Sequence, residues 1–186
     1  KEVSSFCNSH TIPAFMLRYI SSNGHLKSFG DLVPNPLDKG IKGVKQSGTF
    51  QLICRDCDSK LFKNYENENN YRNINAIKEL LGEIALKITL KTIFKRVYEK
   101  RMYELILKDI SNSPYDDFLK EMIHGKSLDL KQLKKDYQYI ISNVYNVELF
   151  KILYYLKLPY RASVAVQDMI NLTCDFDGRS EEHTSE

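Results

Sequence analysis

The stretch that decides the fold covers residues 6–66, which open with FCNSHTIP (residues 6–13) and close with LICRDCDSK (residues 52–60). The opening segment carries a thiol and an imidazole three positions apart. The closing segment carries Cys54 and Cys57 at C-x-x-C spacing, at which a tight turn lets two thiolates bind one zinc ion. The pattern therefore predicts a zinc-supported module, with further ligands from a distant segment.

The composition of the 186 residues indicates a globular protein. Hydrophobic residues make up 42% and charged residues 27%, which excludes a disordered chain. No apolar run has the length of a membrane span and no signal-peptide core opens the chain, so we expect a cytoplasmic protein without membrane contact. The net charge of +3 permits contact with nucleic acid without arguing for it. Four cysteines, two of them in a C-x-x-C, favour a metal in a reducing compartment over a disulfide framework.

Both ends of the chain read as artificial. The chain starts at Lys1 without a methionine, so we expect the natural protein to begin earlier. Residues 179–186 (RSEEHTSE) resemble the translation of a sequencing-adapter oligonucleotide, the alternative being a natural polar tail. We treat this tail as non-native and leave His183 out of the candidate sites.

The first third of the chain predicts short elements. Residues 14–20 predict a helix behind Pro13, and the segment 25–48, rich in Gly and Pro, predicts a loop with a weak hairpin. Residues 49–53 predict a strand that leads into the C-x-x-C turn. Asp58 or Ser59 is then expected to cap a short helix that continues to residue 65.

The remainder predicts helices and then a sheet. Apolar steps of three and four over residues 74–110 predict one long amphipathic helix, or two with a break, with Lys and Arg on the outer face. A short helix from Ser113-Pro114 to Gly125 and another over residues 127–143 are expected next. Two-residue alternation over 150–157 predicts a strand, and β-rich runs at 163–166 and 169–176 would continue an antiparallel sheet.

These elements predict an α+β fold, with a small ββα-like module, a helical region and the start of a sheet. We place the boundaries at 1–66 for the zinc-binding module, 67–147 for the helical region, 148–178 for an incomplete β-rich segment and 179–186 for the non-native tail.

Basic residues follow one another along the predicted long helix. A solvated helix face is the expected reading, and a surface that contacts phosphates is the alternative. The residues concerned are Lys87, Lys91, Lys95, Arg96, Lys100 and Arg101.

The pairing of SHTIP (residues 9–13) with LICRDCD (residues 52–58) resembles the HNH endonuclease superfamily, which has the ββα-metal fold. It is similar to an uncharacterised bacterial branch whose members read SHIIP…LLCRDCE and often carry a further C-x-x-C-Gly upstream. The resemblance covers residues 1–66 and, more loosely, residues 158–178. It implies a metal-dependent hydrolase of nucleic-acid phosphodiester bonds that acts on DNA.

The resemblance also implies roles for particular residues. His10 would be the general base that activates water, and Asp58 would help to hold a catalytic Mg²⁺ or Mn²⁺. Cys54 and Cys57 would hold a structural Zn²⁺. The sequence departs from the family at Ser9, where active nucleases often carry a metal-binding aspartate, and at Asp58, which is not the usual residue there.

Several alternatives remain open from the sequence. His10 is the general base, or a zinc ligand with Cys7, Cys54 and Cys57 in a Cys₃His site, or neither. Cys7 is a zinc ligand or a packed thiol. The runner-up function is a non-catalytic zinc-binding module that fixes an interaction surface.

Three further candidates are set aside. Cys174 is expected to be a core residue in an apolar run, and His25 and His124 are expected to have no functional role.

Overall fold

The computed structural model describes residues 5–26, 42–110, 113–160 and 162–168. Its strands are β1 (Ser9–His10), β2 (His25–Leu26), β3 (Lys42–Gly43) and β4 (Thr49–Phe50). Its helices are α1 (Ala14–Ile20), α2 (Arg55–Leu61), α3 (Ile74–Lys78), α4 (Leu81–Asp109) and α5 (Asp116–Asn143). A 3-10 turn over Glu68–Tyr71 lies between α2 and α3. The chain is therefore an α+β protein, as the sequence predicts.

Two short antiparallel ladders shape the first part of the chain. Strand β1 pairs with β4, with Ser9 opposite Phe50 and His10 opposite Thr49. Strand β2 pairs with β3, which confirms the weak hairpin expected there. Helix α1 and strands β2 and β3 lie between β1 and β4 along the chain, and α2 follows β4 after four residues.

Strand β4 and helix α2 differ in detail from their predictions. The strand ends at Phe50 instead of residue 53, because the chain bends at Leu52 and Ile53. Helix α2 begins at Arg55 rather than behind Asp58 or Ser59. The Cys54 sulfur accepts a hydrogen bond from the Cys57 amide and so caps the helix, a task predicted for an oxygen further along.

The region predicted as one long helix or two contains two helices. Helix α3 is capped by Asn73, whose side chain accepts from the Ala76 amide, and the buried Leu80 separates α3 from α4. Helix α1 confirms its prediction residue for residue, from Ala14 behind Pro13 to Ile20.

The prediction that Gly125 ends a helix is wrong, because α5 runs through it from Asp116 to Asn143. A methyl group at Gly125 would meet nothing within 4 Å, so this glycine marks neither a close contact nor a turn. Gly costs a helix about 1 kcal/mol, which a long, well-packed helix tolerates. The Ser113 side chain accepts from the Tyr115 amide just ahead of the helix, close to the predicted start.

The core joins the first part of the chain to the long helices. The three buried aromatic residues of this cluster precede residue 67. The buried aliphatic residues that pack on them come from α4 and from the end of α5. The buried members are Phe50, Phe62, Tyr65, Leu86, Leu90 and Val144. The predicted boundary at residue 66 stays a prediction, although the core crosses it.

The strands predicted after residue 148 are absent from the described part of this segment, residues 148–160 and 162–168. Alternation alone makes no strand, because a strand also needs a neighbour for its backbone hydrogen bonds. Apolar side chains of these predicted strands are in solvent instead of in a core: Tyr154 is 79% exposed and Val166 is 84% exposed. The run at 169–176, with Cys174, and the tail at 179–186, with His183, lie outside the described residues.

None of the helices in the described ranges combines the length with the apolar character that crossing a bilayer requires.

Candidate functional site

His10 ends β1 and is half-buried, with one ring nitrogen fixed by the backbone. Its Nε2 lies 2.9 Å from the carbonyl oxygen of Val44. A carbonyl only accepts, so Nε2 carries the proton and Nδ1 keeps the lone pair. This tautomer leaves Nδ1 able to accept a proton or to bind a metal.

Cys54 and Cys57 lie together at the start of α2. The amide of Cys57 donates to Sγ of Cys54 at 3.2 Å. Hydrogen bonds from the Cys57 thiol and amide lower the pKa of Cys54, whereas the thiol–thiol interaction raises the pKa of Cys57. Two neighbouring thiols at C-x-x-C spacing could supply two of the four ligands of a tetrahedral zinc site, and zinc binding itself stays a prediction.

Cys7 lies beside the segment that joins β4 to this pair of thiols. Its amide donates to the carbonyl of Ile53 at 2.9 Å, and the side chain is half-buried. Burial, and then the charge of Asp58, raise the pKa of the Cys7 thiol. Within the described parts of the chain, no three His, Cys, Asp or Glu side chains are grouped so as to hold a metal. The Cys₃His site therefore stays a prediction.

Asp58 has partners other than those predicted from the sequence. Its Oδ1 accepts from Ser9 Oγ at 2.5 Å and from Lys87 Nζ at 2.8 Å. Its side chain is 23% exposed. A carboxylate oxygen already bound to an ammonium and a hydroxyl does not fit a divalent metal in this arrangement, because the ammonium would repel the second cation. A metal-binding role of Asp58 stays a prediction, and the contacts of its Oδ1 with Ser9 and Lys87 do not favour it.

Lys87 is buried, whereas the sequence predicts it on the solvent-exposed face of its helix. It was expected on the solvated outer face of a helix, but its side chain is fully buried. Burial lowers the pKa of Lys87, and the adjacent Asp58 carboxylate opposes that effect. A signal was present in the sequence: Lys87 stands seven residues after Leu80 and seven before Phe94, at an apolar position of the helical repeat.

The other five residues of the basic series, Lys91, Lys95, Arg96, Lys100 and Arg101, have acidic partners. Lys91 lies 3.6 Å from Asp168, and Arg96 Nε lies 3.1 Å from Asp129. Lys100 pairs with Glu104 at 3.8 Å, one helical turn away. These exposed or partly exposed pairs agree with a solvated, ion-paired face. Contact of this face with phosphates stays a prediction.

A second buried polar group was also missed. The Glu83 carboxylate accepts from the Tyr65 amide at 2.8 Å and from Asn64 Nδ2 at 3.0 Å. The Tyr65 hydroxyl in turn donates to the carbonyl oxygen of Thr11 at 2.5 Å, next to His10. Helix α4 is thus attached to the segment around His10 by polar contacts as well as by the core.

Two further histidines lie in the described part of the chain. His25 is exposed, and its Nδ1 lies 2.8 Å from the Asn23 carbonyl oxygen. His124 is exposed on α5. That neither histidine has a functional role stays a prediction.

The site therefore offers a half-buried imidazole whose Nε2 is bound to a backbone carbonyl, a pair of neighbouring thiols and an ammonium–carboxylate–hydroxyl cluster. The imidazole can take a proton, the thiols can bind a soft metal, and the buried cluster can hold three elements together.

Comparison of the chain with known protein families, with curated proteins and with solved structures finds no match.

Proposed function

We propose that the first part of the chain is an HNH-like endonuclease module that hydrolyses phosphodiester bonds of DNA, with His10 as general base. The observation that carries this proposal is the hydrogen bond from His10 Nε2 to the carbonyl oxygen of Val44, which leaves Nδ1 basic. The antiparallel pairing of β1 with β4, followed by α2, supports it further, since a strand pair followed by a helix is the core of the ββα fold that the sequence resembles, although α1, β2 and β3 are inserted between the two strands here.

In the proposed reaction His10 Nδ1 takes a proton from water, and the resulting hydroxide attacks the phosphorus while the bond to the leaving oxygen breaks. The backbone of Val44 keeps the imidazole in the required tautomer. The basic side chains Lys45 and Arg55, both exposed near the ladder and α2, are available to contact the phosphate backbone.

The resemblance implies Mg²⁺ or Mn²⁺, which would neutralise charge on the phosphate. Asp58 does not fit this ion while Lys87 and Ser9 bind its Oδ1. The need for a divalent cation is therefore a proposal without assigned ligands. A structural Zn²⁺ on Cys54 and Cys57 is proposed with it, on the thiol geometry described above.

The test is the nicking of supercoiled plasmid by the full chain with Mg²⁺, with Mn²⁺ or with EDTA. His10→Ala is compared with His25→Ala, an exposed histidine that serves as the matched control, at equal zinc content. We expect His10→Ala to lower the nicking rate about a hundredfold or more, since a general base contributes on that order, and His25→Ala to leave it unchanged. No nicking by the wild type would refute the nuclease, and equal nicking by His10→Ala would refute His10 as its general base.

The second candidate is a non-catalytic zinc-binding module that fixes an interaction surface. It is favoured by the binding of Asp58 to Lys87, because this removes the carboxylate that the resemblance assigns to catalysis. Zinc content after Cys54→Ser, Cys57→Ser and His10→Ala distinguishes the two. Loss of zinc in all three, without nicking by the wild type, would support this candidate and make His10 a ligand.

A further inference from the structure

We propose that the ammonium of Lys87 is a built-in cation that occupies the carboxylate this module would otherwise offer to a divalent metal. Lys87 belongs to α4, outside the part of the sequence that resembles the nucleases. The inference does not require nuclease activity and makes α4 an integral part of the site.

The ammonium of Lys87 has three contacts, two with oxygen atoms and one with an aromatic ring. Nζ lies 2.8 Å from Ser9 Oγ and 2.8 Å from Asp58 Oδ1. It also lies 3.6 Å from the centre of the Phe62 ring, whose face attracts a cation. Ser9 accepts from Lys87 and donates to Asp58 at 2.5 Å, so the hydroxyl closes the triangle.

The cluster formed by Lys87, Ser9 and Asp58 is largely buried. The side chain of Lys87 and the whole of Ser9 are inaccessible to solvent. A buried lysine needs a counter-charge, and Asp58 is the carboxylate that its Nζ contacts. Since the contacts come from β1, α2 and α4, one cation holds together three elements that are distant in sequence.

The same contacts exclude a second cation from this oxygen. Mg²⁺ or Mn²⁺ would approach a carboxylate oxygen to about 2.0–2.6 Å. It would then lie within a few ångströms of the ammonium, in a poorly solvated place where like charges repel strongly. Lys87 and a divalent metal therefore compete for Oδ1 of Asp58, and the lysine is covalently attached to the chain.

The experiment follows the side-chain carboxyl carbon of Asp58 by NMR in the full chain during titration with millimolar Mg²⁺. Asp58→Asn assigns the signal by removing it. Lys87→Met removes the ammonium but keeps an apolar side chain of similar length. Lys95→Met is the matched control, because Lys95 is an exposed lysine of the same helix.

We expect the Asp58 signal of the wild type and of Lys95→Met to ignore Mg²⁺, and that of Lys87→Met to shift saturably. A saturable shift in the wild type would overturn the proposal, and that outcome can be read even if Lys87→Met does not fold. A folded Lys87→Met chain whose Asp58 ignores Mg²⁺ would overturn it as well, since removing the ammonium would then have opened no cation site.

Discussion

Two buried charges of α4 connect the helix to the rest of the site, at Glu83 and Lys87. They stand four residues apart, one helical turn, and so lie on the same face. Glu83 binds the backbone of Tyr65, and Lys87 binds Ser9 and Asp58. A hydropathy pattern assigns charged side chains to solvent, so neither residue was predicted to be buried, although Lys87 stands at an apolar position of the helical repeat. The sequence did indicate the candidate base and the thiols, because their spacing is local.

Glu83 predicts a dependence of stability on pH. Burial raises the pKa of its carboxyl above the ordinary value of 4.5, against the opposing hydrogen bonds from Tyr65 and Asn64. A carboxyl with a raised folded-state pKa binds its proton more tightly when folded. Its contribution is therefore fully present below the unfolded pKa and is lost as the pH rises through the folded pKa. Glu83→Gln removes this titration.

The measurement is urea unfolding of the wild type and Glu83→Gln over a series of pH values. We expect the free energy of unfolding of the wild type, relative to the variant, to fall as the pH rises above about 4.5. A difference that stays constant, or that rises with pH, would contradict the burial assigned to this carboxyl.

At the scale of elements, sequence patterns predicted the helix starts and breaks that depend on neighbouring residues. Pro13 marks the start of α1, and the break between α3 and α4 was one of two expected arrangements. Gly125 failed as a stop because a glycine inside a long packed helix is tolerated. The alternation over 150–157 failed because strand formation depends on a partner strand, which no local pattern reports.

Two glycines of the long helices predict opposite effects on stability. A methyl group at Gly82 would stand 1.9 Å from the carbonyl oxygen of Val144, where α4 meets the end of α5. Gly82→Ala must push the helices apart, and we expect a loss of about 1–3 kcal/mol or more. Gly125→Ala meets nothing within 4 Å and removes the flexibility of glycine, so we expect a gain of about 0.5–1 kcal/mol.

Urea unfolding at neutral pH measures the change in the free energy of unfolding for both variants, which we expect to be a loss for Gly82→Ala and a gain for Gly125→Ala. Gly125→Ala serves as the matched control for Gly82→Ala, since both add one methyl group to a helix. Equal effects of the two substitutions would show that the close approach at Val144 does not constrain the packing of α4.

For the whole molecule, the resemblance over residues 1–66 suggested a separable module, and the packing joins this part to the helices. Phe62 and Tyr65 bury against Leu86 and Leu90 of α4. Sequence patterns report which residues are apolar but not which distant segments meet, so this joint core was beyond sequence-based prediction.

A chain of residues 1–66 alone therefore lacks half of its core and the cation that binds Asp58. We expect this fragment, with or without Zn²⁺, to show the far-ultraviolet circular dichroism and the narrow amide NMR dispersion of an unfolded chain. The full chain is the control. A zinc-bound fragment with dispersed amide signals would show that the module folds without α4.

The claim that α4 completes the site is tested most directly by a double-mutant cycle on Lys87 and Asp58. Free energies of unfolding are measured for the wild type, Lys87→Met, Asp58→Asn and the double variant. Removing one partner of a buried pair costs about 3–5 kcal/mol, because the other is left uncompensated.

We expect the double variant to lose less than the sum of the two single losses, by about 1–3 kcal/mol. Losses that add to within about 0.5 kcal/mol would contradict the pairing, and with it the account of α4 as part of the site.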